Sequence, residues 1–256
     1  KDGVLDKLYT LQPDYISCTY GAGGTNVGKN LEVLDKIQKD GKTIPVTHFT
    51  CIGNTKEDIK EKLQTYLEHG IDHMLALRGD LPFGWTDTNG DLHYATELVK
   101  FVRKEFGDKF TIAVAGSPEG HIACEDLNLS VEYLKQKQDA GASFFVTQLF
   151  FDNECFYRFR ELADKAGITV PITAGIMPFM GKSQISRMVF MCGASLPSPV
   201  IKILAKYEND PESLQTAGVD YAARQLCDLK EHGADGLHLY TMNRPAIAAT
   251  IMERLG

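Results

Sequence analysis

Polar residues that could bind a ligand stand where seven apolar runs of the chain end. The clearest case is Arg78-Gly79-Asp80, directly after the apolar stretch 73–77. An arginine can make paired hydrogen bonds to a phosphate, and a glutamine offers both a donor and an acceptor. The tripeptide alone is weak evidence, because a strand-to-helix turn with a surface Arg–Asp pair has the same sequence. The other polar residues at run ends are Thr19, His48, Gln148 and Tyr240.

The apolar runs predict the elements that position these residues. Runs with little polar alternation are typical of parallel strands that are covered on both faces. Strands that alternate with helices predict a parallel α/β fold, and in a barrel of this type the chemistry lies at the carboxyl ends of the strands. The seven runs are 14–20, 44–51, 73–80, 111–117, 144–151, 171–178 and 236–243.

Segments with helical spacing follow most of the runs. Thr55 and Asp58 form a looser version of the capping box at the start of one of them. The interval from Pro171 to Gly236 is about twice the usual one and holds two or three helical patterns, which predicts a helical excursion. Within it, Val200–Leu204 could be a strand by composition alone. The predicted helices are 26–40, 55–69, 94–106, 130–140, 153–166 and 245–255.

These elements predict a (β/α)8 barrel of the TIM type in a single domain, residues 1–256, since no linker or shift in composition divides the chain. Seven strands are one too few for a closed barrel of eight. We therefore expect the first strand to lie upstream of this chain. A seven-stranded or open variant is the alternative.

The bulk composition limits the classes of partner. The net charge of −7 and the pI near 5.5 argue against a nucleic-acid surface. No apolar run approaches the length of a membrane span, and we expect no signal peptide. The six cysteines lack CxxC spacing, so we expect reduced thiols in a cytoplasmic protein. The segment Gly21–Gly24 lacks the GxGxxG spacing of a dinucleotide-binding turn.

Several longer motifs, in order, resemble those of the methylenetetrahydrofolate reductase family. The resemblance covers nearly the whole chain. The motifs are Thr19–Ala22, Thr47–Cys51, Ala76–Asp80, Asp139–Ala142, Thr147–Phe151, Gly175–Pro178 and Leu239–Arg244. The family implies a (β/α)8 barrel that holds FAD and reduces 5,10-methylenetetrahydrofolate to 5-methyltetrahydrofolate, with electrons from NADH or NADPH.

The resemblance also implies roles for single residues. Asp80 would stabilise the iminium cation that forms at N5 of the substrate, and Gln148 would bind the pterin edge; these are the expected catalytic residues. Tyr240 and Arg244 would bind substrate, with Arg244 facing the carboxylates of the folate tail. The positions that match the FAD-lining residues of the family are Thr19, Tyr20, His48, Arg78, Gly79, Asp80, Tyr94, Ala95, His121 and Lys137.

Some positions depart from the family pattern. The family places a proton-donating glutamate at the end of its first strand, and the helical residues Glu32, Glu57 and Glu61 cannot replace it. We therefore expect poor flavin binding or poor turnover from the chain as it stands. The loop after 171–178 lacks an aromatic residue that some bacterial members have, for which we expect Phe179 to compensate.

Other classes of function compete with this one. A non-catalytic folate- or flavin-binding subunit of an electron-transfer complex is the alternative to the reductase. A partner protein could deliver electrons in place of a nicotinamide, and a homo-oligomer is expected. A Schiff-base aldolase would need a lysine at a strand end, and a metal-dependent hydrolase would need HxH or HExxH spacing; the sequence has neither.

Overall fold

The computed structural model describes residues 2–19, 27–81, 84–124 and 126–255. Seven strands form one sheet in the order of the chain, and the paired strands are parallel. This order confirms the predicted α/β barrel class, while the upstream strand stays a prediction. The strands are β1 (Tyr15–Cys18), β2 (Ile44–Thr50), β3 (His73–Leu77), β4 (Thr111–Gly116), β5 (Phe144–Thr147), β6 (Ile172–Ile176) and β7 (Gly236–Leu239).

Helices precede, separate and follow these strands. They are α1 (Asp2–Tyr9), α2 (Val27–Asp40), α3 (Lys56–Glu68), α4 (Ala95–Phe106), α5 (Leu127–Asp139), α6 (Asn153–Lys165), α7 (Lys182–Cys192), α8 (Ser198–Lys206), α9 (Pro211–Glu231) and α10 (Pro245–Leu255). The capping box at Thr55 and Asp58 is confirmed. Helix α5 begins three residues before the predicted start, because the Asp126 carboxylate accepts from the amides of Asn128 and Leu129.

The long interval between β6 and β7 is helical, as predicted. Residues 200–204 lie in α8, so the alternative of a strand there is wrong. Val200 is fully buried and packs in a cluster that includes Leu149, Phe151 and Met177. Val200, Ile203 and Leu204 thus form the apolar face of an amphipathic helix, while Ile201 is exposed.

The chain divides into two compact units, which are described separately. The N-terminal unit comprises Gln12–Ala115 and Gln136–Phe144. The C-terminal unit comprises Lys1–Leu11, Gly116–Lys135 and Phe145–Gly256. Among the described residues, no helix is long and apolar enough to cross a membrane. The single flavin-binding domain stays a prediction.

In the N-terminal unit, strand alternation sets the direction of His48. The hydroxyl of Thr47 donates to Asn30 on α2, and the ring of Phe49 packs against Tyr66 on α3. Asn30 also accepts a hydrogen bond from the Tyr66 hydroxyl. Because successive side chains of a strand point to opposite faces, His48 points to the face away from these helices. His48 is level with Leu75 on β3.

Candidate active site at the strand ends

The β2 and β3 ends form the first part of the candidate site. The Ile52 amide donates to the Arg78 carbonyl at 3.0 Å, and Arg78 Nε donates to the Gly79 carbonyl at 3.2 Å. Gly79 has φ +94°, and a Cβ there would lie 2.5 Å from the Ile52 side chain. Only glycine therefore fits this turn, which leaves Asp80 exposed. Among the described residues there is no Arg78–Asp80 ion pair, so the structure does not support that alternative.

His48 carries a buried polar atom without a partner. Its Nε2 atom is shielded from solvent and makes no hydrogen bond to the described residues. Burial lowers the pKa of His48 to about 4, because the low-dielectric surroundings disfavour the charged ring. The imidazole is therefore neutral near pH 7. An unsatisfied buried nitrogen is costly in a folded protein and is an available hydrogen-bonding site for a ligand.

A buried polar network positions the end of β1. Asn30 Nδ2 donates to the Cys18 carbonyl at 3.0 Å, next to Thr19, which is exposed. Asn30 Oδ1 accepts from Thr47 Oγ1 at 3.2 Å and from the Tyr66 hydroxyl at 2.8 Å. The network holds the strand end where the sequence predicts Thr19 to bind FAD. Tyr20, which the sequence also assigns to FAD, lies outside the described residues.

Two further expected cofactor residues lie at the beginning of α4. Tyr94 is the residue before the helix and is 62% exposed, and Ala95 is its first residue. The loop that precedes them is attached to the β2 end, because the Gly53 amide donates to the Thr88 carbonyl at 2.8 Å. The first turn of α4 is thus held near the strand end by backbone bonds. Helix amino termini favour anions.

Lys137 differs from an ordinary helix lysine. Its ammonium donates to the Ala115 carbonyl of β4 at 3.0 Å rather than extending into solvent. The residue is half-buried, and desolvation of the ammonium lowers its pKa to about 8. A lysine held in this way keeps its charge at pH 7 and can attract an anion that binds near it.

In the C-terminal unit, Thr147 holds Tyr240, one of the expected substrate residues. The Tyr240 hydroxyl donates to the Thr147 carbonyl at 2.8 Å, and Thr147 Oγ1 accepts from the Gly175 amide at 2.8 Å. A Cβ at Gly175 would lie 2.3 Å from the Thr147 carbonyl oxygen and 2.9 Å from the Tyr240 ring. A glycine in β6 therefore allows Tyr240 to cross to β5. With its hydroxyl engaged, Tyr240 can offer a ligand its ring.

Gln148 follows Thr147 directly. Its amide N–H donates to the Gly116 carbonyl at 2.7 Å, and its side-chain oxygen accepts from the Leu149 amide at 3.0 Å. The side-chain nitrogen has no hydrogen-bond acceptor among the described residues. Gln148 thus presents a donor at the end of β5.

His121 lies on a tight loop after β4. Gly120 N donates to the Ser117 carbonyl at 3.0 Å, which closes a turn, and the His121 amide donates to Ser130 Oγ at 3.2 Å. The Ala123 amide donates to His121 Nδ1 at 3.1 Å, which selects the tautomer protonated at Nε2. Glu119 joins this loop to the linker after α7, since its carboxylate accepts from the Ser195 amide at 3.1 Å.

Phe179 does not provide the exposed aromatic that the sequence led us to expect. It is 1% exposed, and its ring packs against Phe151 and Tyr221 with centroids about 6 Å apart. A helix α9 residue explains this burial, because a Cβ at Gly218 would overlap the Phe179 carbonyl. The expectation of compensation by Phe179 is therefore wrong.

Sequence reasoning missed Asn30, Gly175 and Glu119 as positioning residues. The partner of Glu119 is 76 residues away, so no local pattern could indicate it. Gly175 begins the motif Gly175–Pro178, and a glycine within a strand is a usable signal of close backbone approach. Among the described residues, no three His, Cys, Asp or Glu side chains are placed to hold a metal ion.

Comparisons with known proteins agree on one family. A family model described as methylenetetrahydrofolate reductase matches residues 3–256. A 5,10-methylenetetrahydrofolate reductase of Pectobacterium carotovorum is 34% identical over 98% of this chain and 83% of its own length. Methylenetetrahydrofolate reductase (NADH) 1 of Arabidopsis thaliana is 33% identical over 100% of this chain and 46% of its own length.

A solved structure has the same fold. It is an uncharacterised protein from Clostridium thermocellum that binds two copies of 5-methyl-5,6,7,8-tetrahydrofolic acid. The TM-score is 0.70 at 15% identity, over 98% of this chain and 87% of the other. This chain spans less than half the length of the plant relatives but most of the bacterial ones.

Proposed function

Because the chain belongs to the methylenetetrahydrofolate reductase family, we propose that it reduces 5,10-methylenetetrahydrofolate to 5-methyltetrahydrofolate with FAD as cofactor. The match of the family model over residues 3–256 is the observation that carries this proposal. NADH or NADPH is the proposed electron donor, and the names of plant relatives favour NADH. The methyltetrahydrofolate bound by the Clostridium protein is consistent with a folate ligand.

The donor groups of the N-terminal unit fit a flavin nucleotide. The unpartnered His48 Nε2 offers a hydrogen bond to a polar atom of the cofactor. Arg78 and Lys137 supply the positive charge that a pyrophosphate requires in a protein of net charge −7. The remaining proposed contacts are Thr19, Tyr20, Gly79, Asp80, Tyr94, Ala95 and His121. When bound, FAD supplies the hydride chemistry.

The chain itself contributes binding and electrostatic stabilisation. We assign to the exposed Asp80 carboxylate the stabilisation of the N5 iminium cation of the substrate, whose methylene carbon becomes the methyl group. The side-chain amide donor of Gln148 would bind the pterin edge, and Tyr240 would offer its ring. Arg244 would bind the carboxylates of the folate tail.

Visible spectroscopy tests this function. The purified chain, incubated with excess FAD to offset the poor binding expected of it, should show a bound-flavin spectrum that bleaches when 5-methyltetrahydrofolate is added without oxygen. Asp80→Asn should keep the flavin and bleach about 10²–10³-fold more slowly. The exposed α6 variant Asp164→Asn serves as the control and should bleach like the wild type.

Two results would contradict the proposal. A protein that takes up no FAD has no redox group for this reaction. Flavin and folate binding without bleaching would identify the alternative, a non-catalytic binding subunit. A homo-oligomer, an electron-delivering partner protein and a cytoplasmic location stay predictions.

A further inference from the structure

The turn after β7 has an unusual backbone. Met242 and Asn243 both lie in the left-handed region, with φ of +50° and +56°. The Arg244 amide donates to the Thr241 carbonyl at 2.9 Å, which closes a four-residue turn around them. Two successive left-handed residues are typical of a type I′ turn, where glycine and asparagine are preferred.

Met242 is the residue under strain in this turn. Asparagine adopts the left-handed conformation readily, whereas the Cβ of methionine collides with the neighbouring backbone there. The Met242 side chain is 53% exposed, so core packing does not explain why it occupies this position. Local strain of this kind is retained where the surrounding structure uses the conformation it enforces.

Both ends of the turn are anchored within the C-terminal unit. Upstream, the Tyr240 amide donates to the Ile176 carbonyl at 2.9 Å, and the Tyr240 hydroxyl is held by Thr147. Downstream, the Arg244 carbonyl accepts from the Ile247 amide at 3.1 Å, in the first turn of α10. The turn therefore fixes the backbone of Arg244 between a strand and a helix.

The Arg244 side chain is available to an anion. The residue is exposed, and its guanidinium makes no hydrogen bond or ion pair to the described residues. Its backbone is already rigid, so binding a carboxylate has to order only the Arg244 side chain. The adjoining strained turn gives the site this rigidity.

We propose that the Met242-Asn243 turn pre-organises Arg244 for the carboxylates of a folate tail, which makes Met242 and Asn243 positioning residues. This inference rests on the proposed function, in which Arg244 binds substrate. The strain at Met242 then lowers stability slightly and strengthens folate binding, because an arginine with a fixed backbone loses less conformational entropy on binding than one on a mobile backbone.

Calorimetric titration of 5-methyltetrahydrofolate into three turn variants tests the proposal. Met242→Gly relieves the strain but loosens the turn. It should weaken binding about 3- to 10-fold while the thermal midpoint stays level or rises by about 2–4 °C. Met242→Asn relieves the strain but leaves the backbone of the turn less free than glycine does. Its dissociation constant for 5-methyltetrahydrofolate should lie within about twofold of the wild-type value.

A matched control comes from another strained position. Gln12 precedes β1, is exposed and has φ +50°, so Gln12→Gly makes the same backbone change outside this turn. It should leave folate affinity unchanged. Unchanged affinity of Met242→Gly, or an equal loss in Gln12→Gly, would overturn the proposal.

A double-mutant cycle then shows whether the turn acts through Arg244. In an Arg244→Ala background, Met242→Gly should have no further effect on the dissociation constant. An additive effect would refute the positioning role. A wild-type chain that binds no 5-methyltetrahydrofolate would refute both the folate function and this inference, whereas wild-type binding with an unaffected Met242→Gly would refute the inference alone.

Discussion

The desolvated ammonium of Lys137 should make stability depend on alkaline pH. Its pKa lies at about 8 in the folded chain, against an ordinary value of 10.5. Below pH 8 both the folded and unfolded states are protonated, and burial of the charge costs about 3 kcal/mol. Between these pKa values the unfolded chain binds more protons, so the free energy of unfolding rises with pH. The two values give a gain of about 2 kcal/mol between pH 7 and pH 9.5.

Urea unfolding of the chain without cofactor measures this effect. Lys137→Met removes the titrating group, so the difference in unfolding free energy between wild type and variant should shift by about 2 kcal/mol in favour of the wild type from pH 7 to pH 9.5. The exposed α6 variant Lys165→Met controls for other effects of losing a lysine. Parallel pH profiles of the wild type and Lys137→Met would refute the reasoning.

Two other perturbations follow from the site. Burial lowers the pKa of His48 to about 4, so stability should fall as pH drops from 6.5 towards 4. Between pH 7 and pH 5 the wild type should lose about 2 kcal/mol of unfolding free energy in urea, and His48→Leu should remove this loss and weaken FAD retention. An unchanged dependence of the unfolding free energy on pH in the variant would contradict the assignment. Glu119→Ala should speed hydrogen exchange of the Ser195 amide about tenfold, since a charge-assisted hydrogen bond is lost. Glu119→Gln should restore most of the protection. Equal exchange rates in the wild type and both variants would exclude this hydrogen bond.

Local patterns were sufficient to predict most elements of the fold. The capping box at Thr55 depends on a residue three positions away, and the apolar runs that became β2 and β3 are continuous in sequence. The predicted start of α5 lies three residues too late, because helical spacing alone does not reveal the capping carboxylate of Asp126. The strand-end positions of Arg78 and Gln148 followed from the ends of those runs.

The chemical state of these residues needed contacts that no spacing reveals. Sequence position alone suggests that Lys137 is a solvated helix lysine, and the tertiary structure places its ammonium on the Ala115 carbonyl. Phe179 follows the run 171–178, where the sequence predicts that it compensates for a missing aromatic residue, and it is a core residue because α9 covers it. In both cases a segment distant in sequence decides the outcome.

The sequence by itself determined the order of strands and helices, the family, and which polar residues follow which strand. These depend on periodicity and on motifs a few residues long. Only the tertiary structure decided that His48 Nε2 lacks a partner, that Glu119 is bound to Ser195, and that Met242 is held in a left-handed turn. Desolvation, long-range hydrogen bonds and backbone strain arise from segments that meet only in the folded chain.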